Sequence, residues 1–175
     1  LYVVRTPLAN MDSVAEHTLG AILALAKNML PLEKAARRAD FDAPLSFESH
    51  DIGGKTLGII GLGNIGRTLA KKAHGGFDME ILGYDPFVKK EDLPDFITCV
   101  EDVDDIFRRA DYVSLHLNAS PENDNFVDKR RLELMKPGAC LLNFSRGSNV
   151  NEADLYEALK NHVIAGAALD VFAQE

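Results

Sequence analysis

The sequence has few cysteines and fewer basic than acidic residues. Its two cysteines, Cys99 and Cys140, lie far apart and in no C-x-x-C pattern, which favours free thiols in a reducing compartment over a disulfide framework. The 19 Lys and Arg residues are outnumbered by 27 Asp and Glu residues, which gives a formal net charge of −8. No basic patch stands out, so a nucleic-acid partner is not expected. No metal site is expected either.

Long apolar runs are also lacking. The longest, residues 19–26, is too short to cross a bilayer, and no basic segment precedes an apolar stretch at the start of the sequence. We therefore expect a cytoplasmic protein without a membrane span or a signal peptide. The sequence starts at Leu1 and its first methionine is Met11, which predicts that these residues are part of a longer protein. A hydrophobic content of 46% is typical of a soluble globular domain.

A glycine motif follows the first clear buried strand. Residues 57–60 are an apolar run that predicts a strand buried on both faces. Gly61, Gly63 and Gly66 follow with the spacing G-x-G-x-x-G, and residues 64–74 have helical periodicity. In such a turn the first glycine permits the bend, the second lets a pyrophosphate approach, and the third lets the helix pack on the strand.

The start of the helix and an acidic residue complete the predicted dinucleotide site. Free N–H groups at Asn64 and Ile65, together with the helix dipole, would bind a pyrophosphate. A second strand, predicted at residues 79–84, ends at Asp85, whose carboxylate would accept hydrogen bonds from a ribose diol. The same carboxylate would repel a 2′-phosphate, which favours NAD over NADP. The strand, helix and acid around the motif favour this site over a simple glycine turn.

The rest of the sequence alternates between predicted strands and helices. Residues 1–8 form a β-branched segment, and residues 39–54 form a loop. Between them a helix is predicted over residues 14–30, opened by the capping box Ser13-Val-Ala-Glu16 and kinked or stopped by Pro31. Further strands are predicted at residues 96–100, 111–116, 139–143 and 164–169, and further helices at residues 102–109, 128–135 and 151–160, the last capped by Asn151. This alternation predicts an α/β fold, a doubly wound parallel sheet of the Rossmann type.

The domain organisation follows from this pattern. Residues 1–175 are predicted to be one NAD-binding domain, with a long helix and connecting loop in residues 1–54 and the dinucleotide-binding core in residues 55–175. Residues 19–26 are apolar nearly all round, so their helix must be covered on more than one side. A partner subunit in a homodimer and burial under the same chain are both open.

In an open parallel sheet, ligands bind beyond the carboxyl ends of the strands. The residues at those ends are Gly61, Leu62, Gly63, Asp85, His116, Leu117, Asn118, Phe144, Ser145, Arg146 and Asp170. Arg146 is the most informative, because its guanidinium could grip a substrate carboxylate with two parallel hydrogen bonds or polarise a carbonyl for hydride attack. A surface arginine paired with a nearby acid is the alternative, and position alone does not decide between them.

Several segments spread along the sequence form a specific combination. They are Gly61-Leu-Gly-Asn-Ile-Gly66, Asp85-Pro86, Met135-Lys-Pro-Gly-Ala139, Asn143-Phe-Ser-Arg-Gly147, Val150-Asn-Glu152, Leu155-Tyr-Glu-Ala-Leu159 and Gly166-Ala-Ala-Leu-Asp-Val-Phe172. Together they resemble the D-isomer-specific 2-hydroxyacid dehydrogenases, over nearly the whole chain. Within that family, Tyr84-Asp85-Pro86 is most similar to the phosphoglycerate dehydrogenases.

The resemblance implies an NAD-dependent oxidoreductase that interconverts a D-2-hydroxyacid and its 2-keto acid. It implies that Arg146 and Glu175 are catalytic, Glu175 by holding an acid/base histidine, and that Asp170 is an acid near the nicotinamide. It further implies cofactor contacts, partly through the main chain, at Leu117, Phe144 and Ser145.

Two features set limits on what the resemblance transfers. The family places its acid/base histidine beyond Glu175, so His116 is assigned to cofactor contact at most, and this stretch is expected to be inactive alone. The family also has a substrate domain that is expected to lie outside this chain. Asn118 stands where the family usually has proline, which is expected to alter the loop over the nicotinamide ribose.

The resemblance leaves three alternatives open. A non-catalytic NAD-binding corepressor of the same fold would share the glycine turn. A dehydrogenase for another substrate, such as formate, is not excluded by the loop at residues 143–147. An NADP enzyme is argued against by Asp85.

Overall fold

The computed structural model describes residues 9–42 and 48–174. Its helices are α1 (Met11–Ala26), α2 (Met29–Arg37), α3 (Asn64–Phe77), α4 (Asp104–Arg109), α5 (Lys129–Leu134) and α6 (Glu152–Lys160). Its strands are β1 (Thr56–Ile60), β2 (Glu80–Tyr84), β3 (Ile97–Cys99), β4 (Tyr112–Leu115), β5 (Cys140–Asn143) and β6 (Gly166–Leu169). The segment predicted at residues 1–8 lies outside the described residues.

The strands form a six-stranded sheet in the order β3-β2-β1-β4-β5-β6. Every pairing is parallel, so the predicted doubly wound Rossmann-type fold is confirmed. The strand order reverses between β1 and β4, and ligands bind at such a switch point, beyond the carboxyl ends of the strands.

Helices cover both faces of the sheet. On one face α1 and α3 pack over a core that contains Leu57, Ile59 and Leu69. On the other, α4, α5 and α6 enclose Ile60 and Phe107. Because neighbouring residues of a strand point to opposite faces, the run Leu57–Ile60 in β1 contributes to both cores, which explains why this strand is apolar throughout.

The single helix predicted at residues 14–30 is two helices. α1 begins at Met11, so Ser13 lies inside its first turn, and no side chain caps the helix. The chain then breaks at Asn28, whose φ of 50° is left-handed. Pro31 lies in the first turn of α2, where a backbone N–H needs no partner within the helix, so the prediction that proline ends the helix was wrong.

Other boundaries differ by small amounts. All strands except β1 begin slightly later than predicted. α3 runs through Gly75 and Gly76 and ends at Phe77, and the residue that follows it, Asp78, is left-handed with φ 54°. The predicted cap of α6 is confirmed, since the Asn151 side chain accepts a hydrogen bond from the N–H of Asp154. The described parts of residues 39–54 contain no helix or strand, as predicted.

The apolar helix α1 is covered mainly on one side. Ala15, Leu19 and Ile22 are buried against the rest of the chain, while Leu23 and Leu25 on other sides are only half-buried. Within the described ranges, no helix combines the length and apolarity that crossing a bilayer requires.

Candidate functional site

The glycine turn between β1 and α3 has the geometry that the motif predicts. Gly61 has φ +98°, and a Cβ there would lie 2.5 Å from the carbonyl oxygen of His116. A Cβ on Gly66 would overlap the carbonyl oxygen of Gly61, so the third glycine lets the helix close onto the turn. A Cβ on Gly63 would meet no protein atom within 4 Å. The second glycine therefore borders open space, as a pyrophosphate site requires.

The amino end of α3 is open to a ligand. Gly63 occupies the N-cap position, and no side chain caps the helix. The following residue, Asn64, is exposed, and Ile65 is half-buried. Four N–H groups at the start of a helix lack partners within it and carry partial positive charge. This end of α3 thus supplies the donors and the electrostatic field that a phosphate group needs.

Asp85 lies beside the glycine turn. Its Oδ2 atom accepts a hydrogen bond of 2.8 Å from the N–H of Leu62, and its Oδ1 atom accepts one of 2.9 Å from the N–H of Phe87. The carboxylate is therefore held in one orientation by the backbone of two different segments. Each carboxylate oxygen keeps a further lone pair, so Asp85 can still accept hydrogen bonds from the two hydroxyls of a ribose.

His116 directly follows β4, on the other side of the switch point. Its N–H donates to the carbonyl of Ile60 over 2.8 Å, and its Nε2 atom lies 2.9 Å from the Ser114 hydroxyl. Burial lowers the pKa of His116 to about 4, so the ring is neutral at pH 7. A neutral, tethered ring agrees with the assignment of His116 to a contact role and not to proton donation.

The loop after β4 is fixed by two asparagines. The Asn149 side chain donates to the carbonyl of Leu117 over 3.3 Å. Asn118 is exposed, and the Asn123 amide donates to its main-chain oxygen over 3.0 Å and to its side-chain oxygen over 3.2 Å. At Asn118, therefore, a pair of amide hydrogen bonds holds the turn that a proline would otherwise stiffen.

The Ser-Arg-Gly loop follows β5. The Arg146 side chain is exposed and donates to the carbonyl of Ser145 over 2.6 Å. In the part of the chain that the structure describes, no carboxylate forms a salt bridge with Arg146. A Cβ on Gly147 would overlap the Phe172 backbone, so the loop packs directly on the segment after β6. A cavity of about 430 Å³ opens beside Arg146.

Asp170 follows β6 and faces α1. Its Oδ2 atom lies 3.9 Å from Nδ1 of His17, and the His17 ring contacts Phe144 edge-on, with 5.0 Å between ring centroids. His17 lies on the apolar helix α1, where its sequence position indicates a packing or interface role. The structure places it at the surface, beside two predicted cofactor residues. No sequence signal links His17 to Asp170, because they come from opposite ends of the chain.

The sequence-based predictions also missed two buried asparagines. Asn143 and Asn149 flank the Ser-Arg-Gly loop, with exposures of 1% and 0%. Both amides hydrogen-bond to the loop. Two asparagines around an arginine, next to an apolar strand, are the signal that could have identified them.

The predicted cofactor residues share one edge of the sheet. Most lie at the carboxyl ends of the strands or in the loops that follow, namely Gly61, Gly63, Asp85, His116, Leu117, Asn118, Phe144, Ser145, Arg146 and Asp170. Asn64, Ile65 and Gly66 form the first turn of α3, directly after the glycine turn. Glu175 lies outside the described residues. Within the described ranges no group of His, Cys, Asp and Glu side chains is arranged to hold a metal ion.

Comparison with known proteins agrees with this geometry. Residues 19–175 match the family model "D-isomer specific 2-hydroxyacid dehydrogenase, NAD binding domain". The chain is 39% identical over 176 aligned residues to D-3-phosphoglycerate dehydrogenase from Methanocaldococcus jannaschii, covering 100% of this chain and 33% of that relative.

Two solved structures are similar to this chain. D-lactate dehydrogenase with NAD+ from Lactobacillus jensenii is 32% identical, with a TM-score of 0.89 over 99% of this chain and 52% of that chain. An acyclic imino acid reductase in complex with NADPH and D-Arg is 30% identical, with a TM-score of 0.87 over 95% of this chain and 52% of that chain. The chain thus spans between a third and about half of the length of these relatives.

The match to the family model covers most of the chain, and the parallel sheet, the open glycine turn and the carboxylate beside it are what a dinucleotide-binding domain requires. The chain therefore belongs to the D-isomer-specific 2-hydroxyacid dehydrogenases, as an NAD-binding domain of that family.

Proposed function

We propose that this chain is the cofactor half of an NAD-dependent oxidoreductase that interconverts a D-2-hydroxyacid and its 2-keto acid. The observation that carries the proposal is the position of Arg146 on the same sheet edge as the glycine turn, with no salt bridge to a described carboxylate. An arginine that no acid among the described residues neutralises is available to an anionic substrate.

The proposed chemistry divides between the cofactor and the protein. When bound, the nicotinamide supplies or accepts the hydride. The glycine turn and α3 bind the pyrophosphate, and Asp85 orients the adenosine ribose. Arg146 binds the substrate carboxylate and polarises the carbonyl that accepts hydride.

Proton transfer is assigned to a histidine paired with Glu175. We do not assign this role to His116, because burial lowers its pKa to about 4 and leaves it without a proton to donate when a keto acid is reduced at neutral pH. Since the chain spans about half of its relatives, or less, we place the substrate domain and the acid/base histidine in the remaining length. The 175 residues alone should bind NAD and turn over nothing.

The proposed cofactor preference is NAD over NADP. A similar solved structure holds NADPH, so the fold by itself does not set the preference. Asp85 supports NAD, because a fixed carboxylate beside the ribose repels a 2′-phosphate. A comparison of KM for NADH and NADPH tests this.

The proposed substrate is of the 3-phosphoglycerate type, on the strength of the relative from Methanocaldococcus jannaschii. The test is an assay of the full-length protein with NADH and with 3-phosphohydroxypyruvate, pyruvate or glyoxylate. Fastest reduction of 3-phosphohydroxypyruvate supports the proposed substrate. Binding of NADH without reduction of any keto acid would favour the non-catalytic corepressor.

The proposed assembly is a homodimer. A cavity of about 400 Å³ lies between α1, α2 and β6, lined by apolar side chains that include Leu25, Pro31 and Phe144. Leu30 at its margin is 68% exposed, and together with the apolar lining it forms an exposed apolar patch of the kind that marks protein–protein contacts. Light scattering of Leu30→Glu against wild type tests this, with a shift to monomer expected.

The two free cysteines agree with a proposed location in the reducing cytoplasm.

A further inference from the structure

Within the part of the chain that the structure describes, Asn149 has a fully buried side-chain amide whose nitrogen is hydrogen-bonded and whose oxygen is not. Its Nδ2 atom donates to the Ser145 hydroxyl over 3.0 Å and to the Leu117 carbonyl over 3.3 Å. Its Oδ1 atom is buried and has no partner among the described residues. A buried acceptor without a hydrogen bond costs free energy. An apolar side chain of similar size would avoid that cost, so what the position uses is the two donated hydrogen bonds.

The orientation of this amide follows from its partners. The Leu117 carbonyl can only accept a hydrogen bond, so turning the amide over would place two oxygens against each other. The Ser145 hydroxyl already donates to Oδ1 of Asn143 over 2.8 Å, and it therefore accepts from Asn149. The hydrogen bonds thus run in one direction: Asn149 donates to Ser145, and Ser145 donates to Asn143.

The same network reaches Arg146 from both sides. Asn143 Nδ2 donates to the Arg146 carbonyl over 2.9 Å, and Asn143 Oδ1 accepts from the Ser145 N–H over 3.1 Å. The Asn149 N–H also donates to the Arg146 carbonyl, over 3.2 Å. The Arg146 carbonyl is therefore held by the Asn143 side chain and by the Asn149 backbone. The Asn149 side chain adds the link from Ser145 to the loop after β4.

We infer that Asn149 is a positioning residue, which sets the Arg146 loop against the Leu117 loop so that substrate and nicotinamide meet in register. This inference rests on the proposed role of Arg146. Leu117 follows β4 and Arg146 follows β5, so Asn149 bridges the loops of two adjacent strands on the ligand edge. Without the Asn149 side chain, each loop would still be anchored to the strand that it follows. The two loops would lose the hydrogen bonds that fix their positions relative to each other.

The test compares full-length wild type with two variants. Asn149→Leu keeps the branched shape and the number of heavy atoms but forms no hydrogen bond, and Asn149→Asp keeps the size and shape but replaces the donating NH2 group with an oxygen. We expect kcat/KM for the reduced keto acid to fall about tenfold or more, since small misplacements of reacting groups have effects of that size. The Kd for NADH should change less than about threefold, because the glycine turn and Asp85 hold the adenosine half independently. Ile164→Val, a buried change just before the amino end of β6 and therefore away from the ligand edge, is the control that lowers stability alone.

Hydrogen–deuterium exchange gives a readout that does not depend on turnover. Both Asn149 variants should exchange faster than wild type at residues 145–147, and Ile164→Val should not. If wild type binds NADH and reduces no keto acid while exchange rises in the variants, the positioning stands and the proposed function fails. Unchanged exchange, or kcat/KM within about twofold of wild type in both variants, would overturn the inference. An equal loss in kcat/KM, NADH affinity and Tm would also overturn it, as that is the pattern of a merely structural residue.

Discussion

The backbone N–H of Leu62 donates a 2.8 Å hydrogen bond to the carboxylate of Asp85. This bond joins the glycine turn after β1 to the residue that follows β2, so the two parts of the proposed ribose and pyrophosphate site are fixed relative to each other. The acid is consequently oriented before any nucleotide binds, which lowers the conformational cost of binding.

Replacing the acid should change the cofactor preference. In Asp85→Asn the charge that repels a 2′-phosphate is removed, so the ratio of NADPH affinity to NADH affinity should rise about tenfold or more. Fluorescence titration with both cofactors measures the ratio. Asp95→Asn, an exposed change outside this site, is the matched control, and an equal ratio in both variants would count against the role given to Asp85.

Two glycines of equal steric freedom should behave differently. A Cβ meets nothing within 4 Å at either Gly63 or Gly20. Gly63→Ala should therefore fold normally but weaken NADH binding by about tenfold or more, since the methyl group occupies the pyrophosphate approach. Gly20→Ala should leave NADH binding unchanged and stabilise α1 by about 0.5–1 kcal/mol.

Calorimetry with NADH and thermal melting separate these outcomes. Loss of NADH affinity in both alanine variants, or in neither, would show that the space beside Gly63 is not the pyrophosphate site.

Gly66→Ala should lower the Tm in the same melting experiment, because its Cβ would overlap the Gly61 carbonyl.

Arg146 should affect substrate chemistry more than cofactor binding. Arg146→Lys keeps the charge but loses the paired hydrogen bonds to a carboxylate, so kcat/KM for the keto acid should fall about a hundredfold or more. The Kd for NADH should stay close to that of wild type. Steady-state kinetics of the full-length protein provide the measurement, with Arg38→Lys on an exposed residue after α2 as control. A variant with unchanged kcat/KM would return Arg146 to the role of a plain surface residue.

His116 should make the fold less stable as the pH falls. Burial lowers its folded-state pKa from 6.5 to about 4, so between these pH values the unfolded chain binds a proton that the folded chain does not. The contribution of the neutral His116 ring to the free energy of unfolding is complete above pH 6.5 and is lost as the pH falls toward 4. Between pH 7 and pH 5 the loss should be on the order of 1–2 kcal/mol.

Urea unfolding at these two pH values measures the effect. His116→Gln cannot be protonated, so its stability should change less between the two pH values than that of wild type. If both proteins lose the same amount, His116 is not the group responsible.

The parts of the fold that were predictable are those encoded by contiguous residues. The glycine turn is an example, because β1, the three glycines and the start of α3 follow one another directly. The break at Asn28 was not predictable, since asparagine tolerates a left-handed conformation but does not require it. Proline is the stronger helix-breaking signal in a sequence, so the boundary was predicted at Pro31 instead.

The site divides in the same way. Asp85 and Arg146 could be located from the ends of predicted strands. The contact of His17 with Asp170 and the bridge from Asn149 to Leu117 could not, because each joins segments that only the three-dimensional packing brings together. Local pattern thus located the groups proposed to contact the ligands, and the structure was needed for those that orient them.

The most direct test of the account is a crystal structure of the protein with NADH. We expect the pyrophosphate at the amino end of α3 beside Gly63, and both hydroxyls of the adenosine ribose within about 3 Å of the Asp85 carboxylate oxygens. A nucleotide bound elsewhere, or one whose ribose makes no contact with Asp85, would contradict it.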